Sequence, residues 1–110
     1  LDPKDIEEIC YAIQQHNKDG VKKTKEANII FDADKIQAFG AYGIIRALIY
    51  NVKVIQPDKD QDKQIDRTIK EVKFFQQKAK TKTGKRLAKK SEKFIKKFIK
   101  DYSKIQKGLI

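Results

Sequence analysis

The sequence predicts an all-α fold, a helical bundle of four to five helices. Three observations point to it. Apolar residues recur at three- and four-residue intervals through most of the 110 residues. Gly, Asn or Pro punctuates the chain between the periodic stretches, at Asn17–Gly20, Gly40, Pro57 and Gly84. With 39% hydrophobic and 37% charged residues, five glycines and two prolines, the composition is that of a globular chain and excludes collagen-like or low-complexity sequence.

The first helix is expected over Pro3–His16. Asp2 is the N-cap, because its carboxylate can accept from the free N–H groups of the first turn. Pro3 follows where a missing N–H does no harm. Asp5, Glu7 and Glu8 suit the positive helix start. Ile6, Ile9, Cys10 and Ile13 form one apolar stripe, with Cys10 read as inert core. Asn17–Gly20 ends the helix. Thr24 caps a second helix that carries Ala27, Ile29, Ile30, Phe31, Ala33 and Ile36, apolar on most of its surface and therefore expected to be central and buried.

A break near Gly40 precedes a third helix over about Ala41–Tyr50, and a buried strand over Ile44–Ile55 is the competing reading. Gly40 and Gly43 are read as permitting a turn and a close helix approach. Gln56-Pro57-Asp58 reads as a turn. A fourth helix is expected from about Asp58 to Lys80, with Ile65, Ile69, Val72 and Phe75 on its inner face. Thr81–Gly84 reads as a break, with Gly84 as helix breaker. A fifth helix over Lys85–Gln106 is built on Leu87, Phe94, Ile95, Phe98, Ile99, Tyr102 and Ile105.

Charge divides the chain. Residues 1–77 hold 13 Lys/Arg and 13 Asp/Glu, and residues 78–107 hold 13 Lys/Arg against Glu92 and Asp101, so the net +11 resides in the C-terminal segment. A neutral body (1–77) and a basic C-terminal helix (78–110) are the expected organisation. No apolar run approaches the ~20 residues of a bilayer span. One cysteine excludes an intrachain disulfide framework and a cysteine zinc site, which makes a cytoplasmic address the default. The start at Leu1 rather than Met reads as a cut or processed end.

Two carboxylates stand inside the apolar second helix. Burying either costs several kcal/mol unless it is paired or bound to a cation. Asp32 and Asp34 are two positions apart, about 200° around a helix, so they cannot face the same way. One can point to a site while the other caps, pairs or faces solvent. Lys35, Arg46 or a nearby helix N-terminus could satisfy both, and Arg46 reads first as a helix-packing ion pair.

The run Glu26-Ala27-x-Ile29-x-x-Asp32-Ala33-Asp34-Lys35-Ile36-x-Ala38-x-Gly40-Ala41-x-Gly43-Ile44-x-Arg46 resembles the later half of HD-domain metal-dependent phosphohydrolases. There the pattern is close to E-A-x-I-V-x-D-A-D-R-L-D-A-x-G-A-x-G-I-A-R. Thr81-Lys82-Thr83-Gly84-Lys85-Arg86-Leu87-Ala88 is similar to the family's C-terminal T-x-x-G-x-x-L-A run, and His16 sits where many relatives carry a histidine.

This resemblance implies an HD-domain-like helical bundle holding a divalent metal (Mn, Co, Ni, Fe, Zn or Mg) between a histidine, a His-Asp pair and a later aspartate. Asp34 matches the later aspartate and is the implied metal ligand, with Asp32 structural. Lys35 and His16 are candidate contacts to substrate phosphate; Lys35 also reads as a solvated surface lysine, and His16 as a contact to a second metal or a helix C-terminal cap. The implied reaction is hydrolysis of a phosphate ester, in a phosphorylated small molecule or nucleotide, by metal-activated water.

His16 is the one histidine, and no His-Asp dipeptide is present. Lys35 stands for the usual arginine and Gln37 for a common aspartate. A catalytic metal usually takes three or more protein ligands. The chain is therefore expected to be a fragment, half of a split enzyme or a non-catalytic relative. As a metal enzyme it would be inactive unless the missing ligands are supplied. Uncovered helices would then favour self-association. The alternative function is a helical module that binds nucleic acid or another acidic partner through its lysine-rich last helix. Membrane binding is the weaker expectation for that helix, since its apolar stripe is needed for packing.

Overall fold

Asp2, Thr24, Asp60 and Thr81 set the helix starts, each by accepting backbone N–H groups of the first turn. The computed structural model describes residues 1–55 and 60–108. Its α-helices are α1 (Pro3–Gln15), α2 (Lys25–Ile36), α3 (Gly40–Tyr50), α4 (Gln61–Gln76) and α5 (Lys82–Gln106). No strand occurs among the described residues. The competing strand is thereby excluded: α3 continues into a π-helical turn at Asn51–Ile55. The Gln56-Pro57-Asp58 turn lies outside the described residues, as does the expected start of the fourth helix at Asp58.

Local chemistry explains each start. Asp2 accepts from Lys4 N at 2.9 Å, and Thr24 Oγ1 accepts from Ala27 N at 3.1 Å. The Asp60 carboxylate accepts from Asp62 N and Lys63 N at 3.0 and 3.2 Å. Helix α3 has no side-chain cap; Gly40 opens it at φ +56° and donates its N–H to Gln76 Oε1 at 3.2 Å. Left-handed backbone of this kind favours glycine. A Cβ on Gly43 would sit 2.2 Å from the Ala38 carbonyl oxygen in the connection before α3, so Gly43 serves the tight turn, while the approach between helices falls at Gly40, where a Cβ would lie 3.4 Å from Ser91 Oγ of α5.

The core forms where α3, α4 and α5 meet. Ile44, Ile69, Val72 and Ile95 are its buried centre, flanked by Ile65, Phe98 and Ile99. Phe39, Ala79 and Ala88 form a second cluster with Phe75. Buried Asn51 donates from Nδ2 to Thr68 Oγ1 at 3.4 Å and to Glu71 Oε2 at 3.1 Å, tying the end of α3 to α4.

The N-terminal helices are less covered than their sequence implies. Among the helices, α1 packs against α2 alone. Ile6, Ile9 and Cys10 are exposed and Ile13 is 59% exposed, so Cys10 is not core. Helix α2 buries Ala27, Phe31 and Asp32 but leaves Ile29, Ile30 and Ile36 open, which corrects its expected central position. The physical reason is simple: no described element lies over that side. The radius of gyration is 17.2 Å, against about 13 Å for a compact chain of this length. Among the described residues, no helix is long and apolar enough to cross a membrane.

The junction between α4 and α5 also differs from expectation. Helix α4 ends at Gln76 rather than Lys80, and α5 begins at Lys82 rather than Lys85. Thr81 Oγ1 accepts from Gly84 N at 3.0 Å, which places Gly84 inside the first turn instead of breaking the helix.

Candidate functional site

The two aspartates of α2 part company as their 200° separation requires. Asp32 is buried, and its Oδ1 accepts from Lys80 N at 2.8 Å. Its Oδ2 accepts from Thr81 N at 2.7 Å and from Thr81 Oγ1 at 2.6 Å. A Cβ on Gly84 would fall 2.1 Å from that same oxygen. Asp32 is therefore an anchor between α2 and the start of α5, and Gly84 leaves the room it needs.

Asp34 faces the other way. Its side chain is half exposed, and Oδ2 accepts from Lys35 Nζ at 3.0 Å. It lines a cavity of about 320 Å³ between α2, α3 and α4. Lys35, Arg46, Tyr50 and Glu71 supply the other polar groups, over a floor that includes Val72 and Phe75. Arg46 makes no ion pair among the described residues, contrary to its first reading; Nη1 donates to Gln37 Oε1 at 3.4 Å. Two cations and two carboxylates thus border one opening. Such a wall can take an anionic oxygen on the cations, and a water or cation on the carboxylates.

Lys35 is held for this position. Its ammonium lies 5.1 Å from the Phe31 ring centre, while Lys22 and Lys80 approach the same ring at 4.8 and 5.4 Å. Burial pushes the Lys22 ammonium below its usual lysine value, and the neighbouring Lys80 charge acts in the same direction. Lys22 Nζ also donates to the Lys18 and Asp19 carbonyls, which closes the loop between α1 and α2.

His16 is placed elsewhere. It is the C-cap of α1, and its Nδ1 lies 2.5 Å from the Ile13 carbonyl oxygen. A carbonyl only accepts, so Nδ1 carries the proton. His16 does not line the cavity of Asp34 and Lys35. Among the described residues, no group of three or more His, Cys, Asp or Glu side chains could hold a metal ion. Asp34 alone does not fit a catalytic metal, which takes about three protein ligands.

Sequence reasoning missed Glu71 and Tyr50 as cavity residues. Glu71 reads as one more charged position on α4, and only the packing of α3 against α4 brings it to the cavity that Asp34 lines. Comparison of the chain with protein-family models, with curated proteins and with solved structures gives no match.

Proposed function

We propose that this chain is the C-terminal part of an HD-type phosphohydrolase and supplies the phosphate-facing wall of its site. One observation carries the reading. Asp34, the aspartate singled out by the resemblance, makes one half-exposed pair, with Lys35, and opens onto a cavity that Lys35 and Arg46 also line. Asp32 two positions away is committed to the Lys80 and Thr81 backbone N–H groups and the Thr81 hydroxyl. The uncovered apolar residues of α1 and α2 are consistent with a site that further residues complete.

The proposed roles follow from charge and position. Lys35 exchanges its contact with Asp34 for a phosphoryl oxygen, acting as a point charge. Arg46 offers a planar fork of donors to two oxygens of the same group. Asp34 and Glu71 orient water at the opposite edge. Its metal requires ligands beyond the described residues, so no step is derived through it.

The test, on protein that includes the residues completing the metal site, is turnover of nucleoside monophosphates and of phosphomono- and phosphodiester reporters with Mn²⁺, Co²⁺ or Mg²⁺, with and without Asp34→Ala. Metal-dependent turnover that falls about tenfold or more in the variant, a loss of ~1.4 kcal/mol or more in transition-state stabilisation, supports the reading. Equal turnover in both removes Asp34 from the mechanism.

A further inference from the structure

Helix α5 carries a feature that the phosphohydrolase reading does not use. Between Lys82 and the C-cap Lys107 lie eleven basic residues, every one exposed. None makes an ion pair or side-chain hydrogen bond among the described residues, whose ion pairs are Lys35–Asp34, Lys70–Asp66 and Lys78–Asp19. At about 100° per residue, all eleven fall within an arc of about 140°. That arc contains no acid, because Glu92 and Asp101 stand just outside its two edges.

Spacing and orientation select a partner. A 25-residue helix is about 37 Å long, so the ridge carries one positive charge per ~3.4 Å. Each strand of a nucleic-acid duplex carries one phosphate per ~3.4 Å of the duplex axis, so the ridge is a polycation of comparable linear charge density. The arc is centred opposite Ile95, which is fully buried against the body. An anionic membrane would need an apolar face flanked by the lysines, whereas the two exposed apolar residues of α5, Phe94 and Ile105, stand outside the cationic arc with Asp101 beside them. The helix is about 10–12 Å across, which suits the ~12 Å major groove of B-form DNA and not the narrow major groove of A-form RNA. Lysines at the two edges of the arc, Lys85 on one side and Lys90 on the other, would reach phosphates on opposite groove walls.

We propose that the exposed face of α5 is a docking surface for duplex DNA, bound through its phosphates without base readout. Lysine supplies point charges rather than the bidentate forks that read base edges, so binding is independent of sequence. Residues 1–77 are neutral, so the attraction is one-sided and orients the protein with α5 towards the duplex. This inference does not depend on the phosphohydrolase reading.

Fluorescence anisotropy with a labelled duplex of mixed sequence, about two helical turns long, tests it on the full chain. With about six phosphates neutralised, affinity falls about 10³-fold between ~50 and ~200 mM salt. The combined variant Lys89→Gln, Lys93→Gln, Lys96→Gln, Lys100→Gln keeps its helical circular dichroism and weakens binding more than tenfold at low salt. Its salt slope is shallower by about 3–4. The combined variant Lys4→Gln, Lys25→Gln on the body binds as the wild type does. The proposal is overturned by no binding at ~50 mM salt, by a salt slope below about 2 in magnitude, or by equal affinity of the four-lysine variant. Equal or tighter binding to single-stranded DNA, to duplex RNA, or to phosphatidylserine vesicles overturns it as well.

Discussion

Replacing Asp32 should be far more damaging than replacing Asp34, although both belong to the same Asp-Ala-Asp run. Asp32→Ala leaves Lys80 N, Thr81 N and the Thr81 hydroxyl without their acceptor. An orphaned buried donor costs about 1–3 kcal/mol, and the hydroxyl can rotate to another partner, so the loss is about 3–5 kcal/mol. Asp32→Asn keeps one acceptor oxygen but loses the charge assistance and turns its NH2 group on a donor of the other side, for about 2 kcal/mol. Asp34→Asn breaks only a half-exposed contact with Lys35 and costs about 0.5 kcal/mol or less. Urea unfolding followed by circular dichroism reads these differences. With a slope of about 1.5 kcal/mol per molar, Asp32→Asn lowers the midpoint by about 1.3 M and Asp34→Asn by about 0.3 M or less. Equal midpoints for the two asparagine variants would refute the assignment of Asp32 as anchor and Asp34 as the spare carboxylate.

Other expectations are more compact. Gly84→Ala gains about 1 kcal/mol of helix propensity in an ordinary helix, yet here it destabilises, because the new Cβ collides with Asp32 Oδ2; a raised melting temperature would contradict this. Lys78 Nζ donates to both oxygens of Asp19 at 2.7 and 3.0 Å and holds that carboxyl below its ordinary value. The pair therefore stabilises the fold above about pH 4 and ceases to do so as pH falls through the lowered value. Lys78→Gln should flatten the loss of urea midpoint between pH 6 and pH 3, and an unchanged pH profile would count against the pair. The open isoleucines of α1 should drive self-association. Sedimentation should show mass rising with concentration, and the Ile9→Glu, Ile13→Glu double variant should stay monomeric; a wild type that remains monomeric throughout contradicts this.

Caps and periodicity made most of the fold legible. Asp2 and Thr24 act as their positions in the sequence imply, and the packed faces of α4 and α5 follow their helical spacing. Thr81–Gly84 misled because threonine and glycine punctuate many breaks, whereas here Thr81 caps α5 and Gly84 makes room for a carboxylate 52 positions earlier. No local pattern carries such a long-range contact. The stripe on α1 and the apolar sides of α2 were read correctly as apolar but wrongly as buried. Periodicity records which face is greasy, not whether anything covers it. The opposite orientations of Asp32 and Asp34 follow from helix geometry alone. That Glu71 and Asp34 line one cavity depends on how α3 and α4 pack.

Nuclear magnetic resonance titration of the labelled chain with a nucleoside monophosphate tests the proposed site most directly. The account predicts saturable shifts at the amides of Lys35, Gly43, Arg46 and Ala47, abolished by Arg46→Gln while the lysines of α5 respond weakly and without saturation. Shifts confined to α5, or unchanged by that substitution, would contradict a phosphate-facing wall at Asp34.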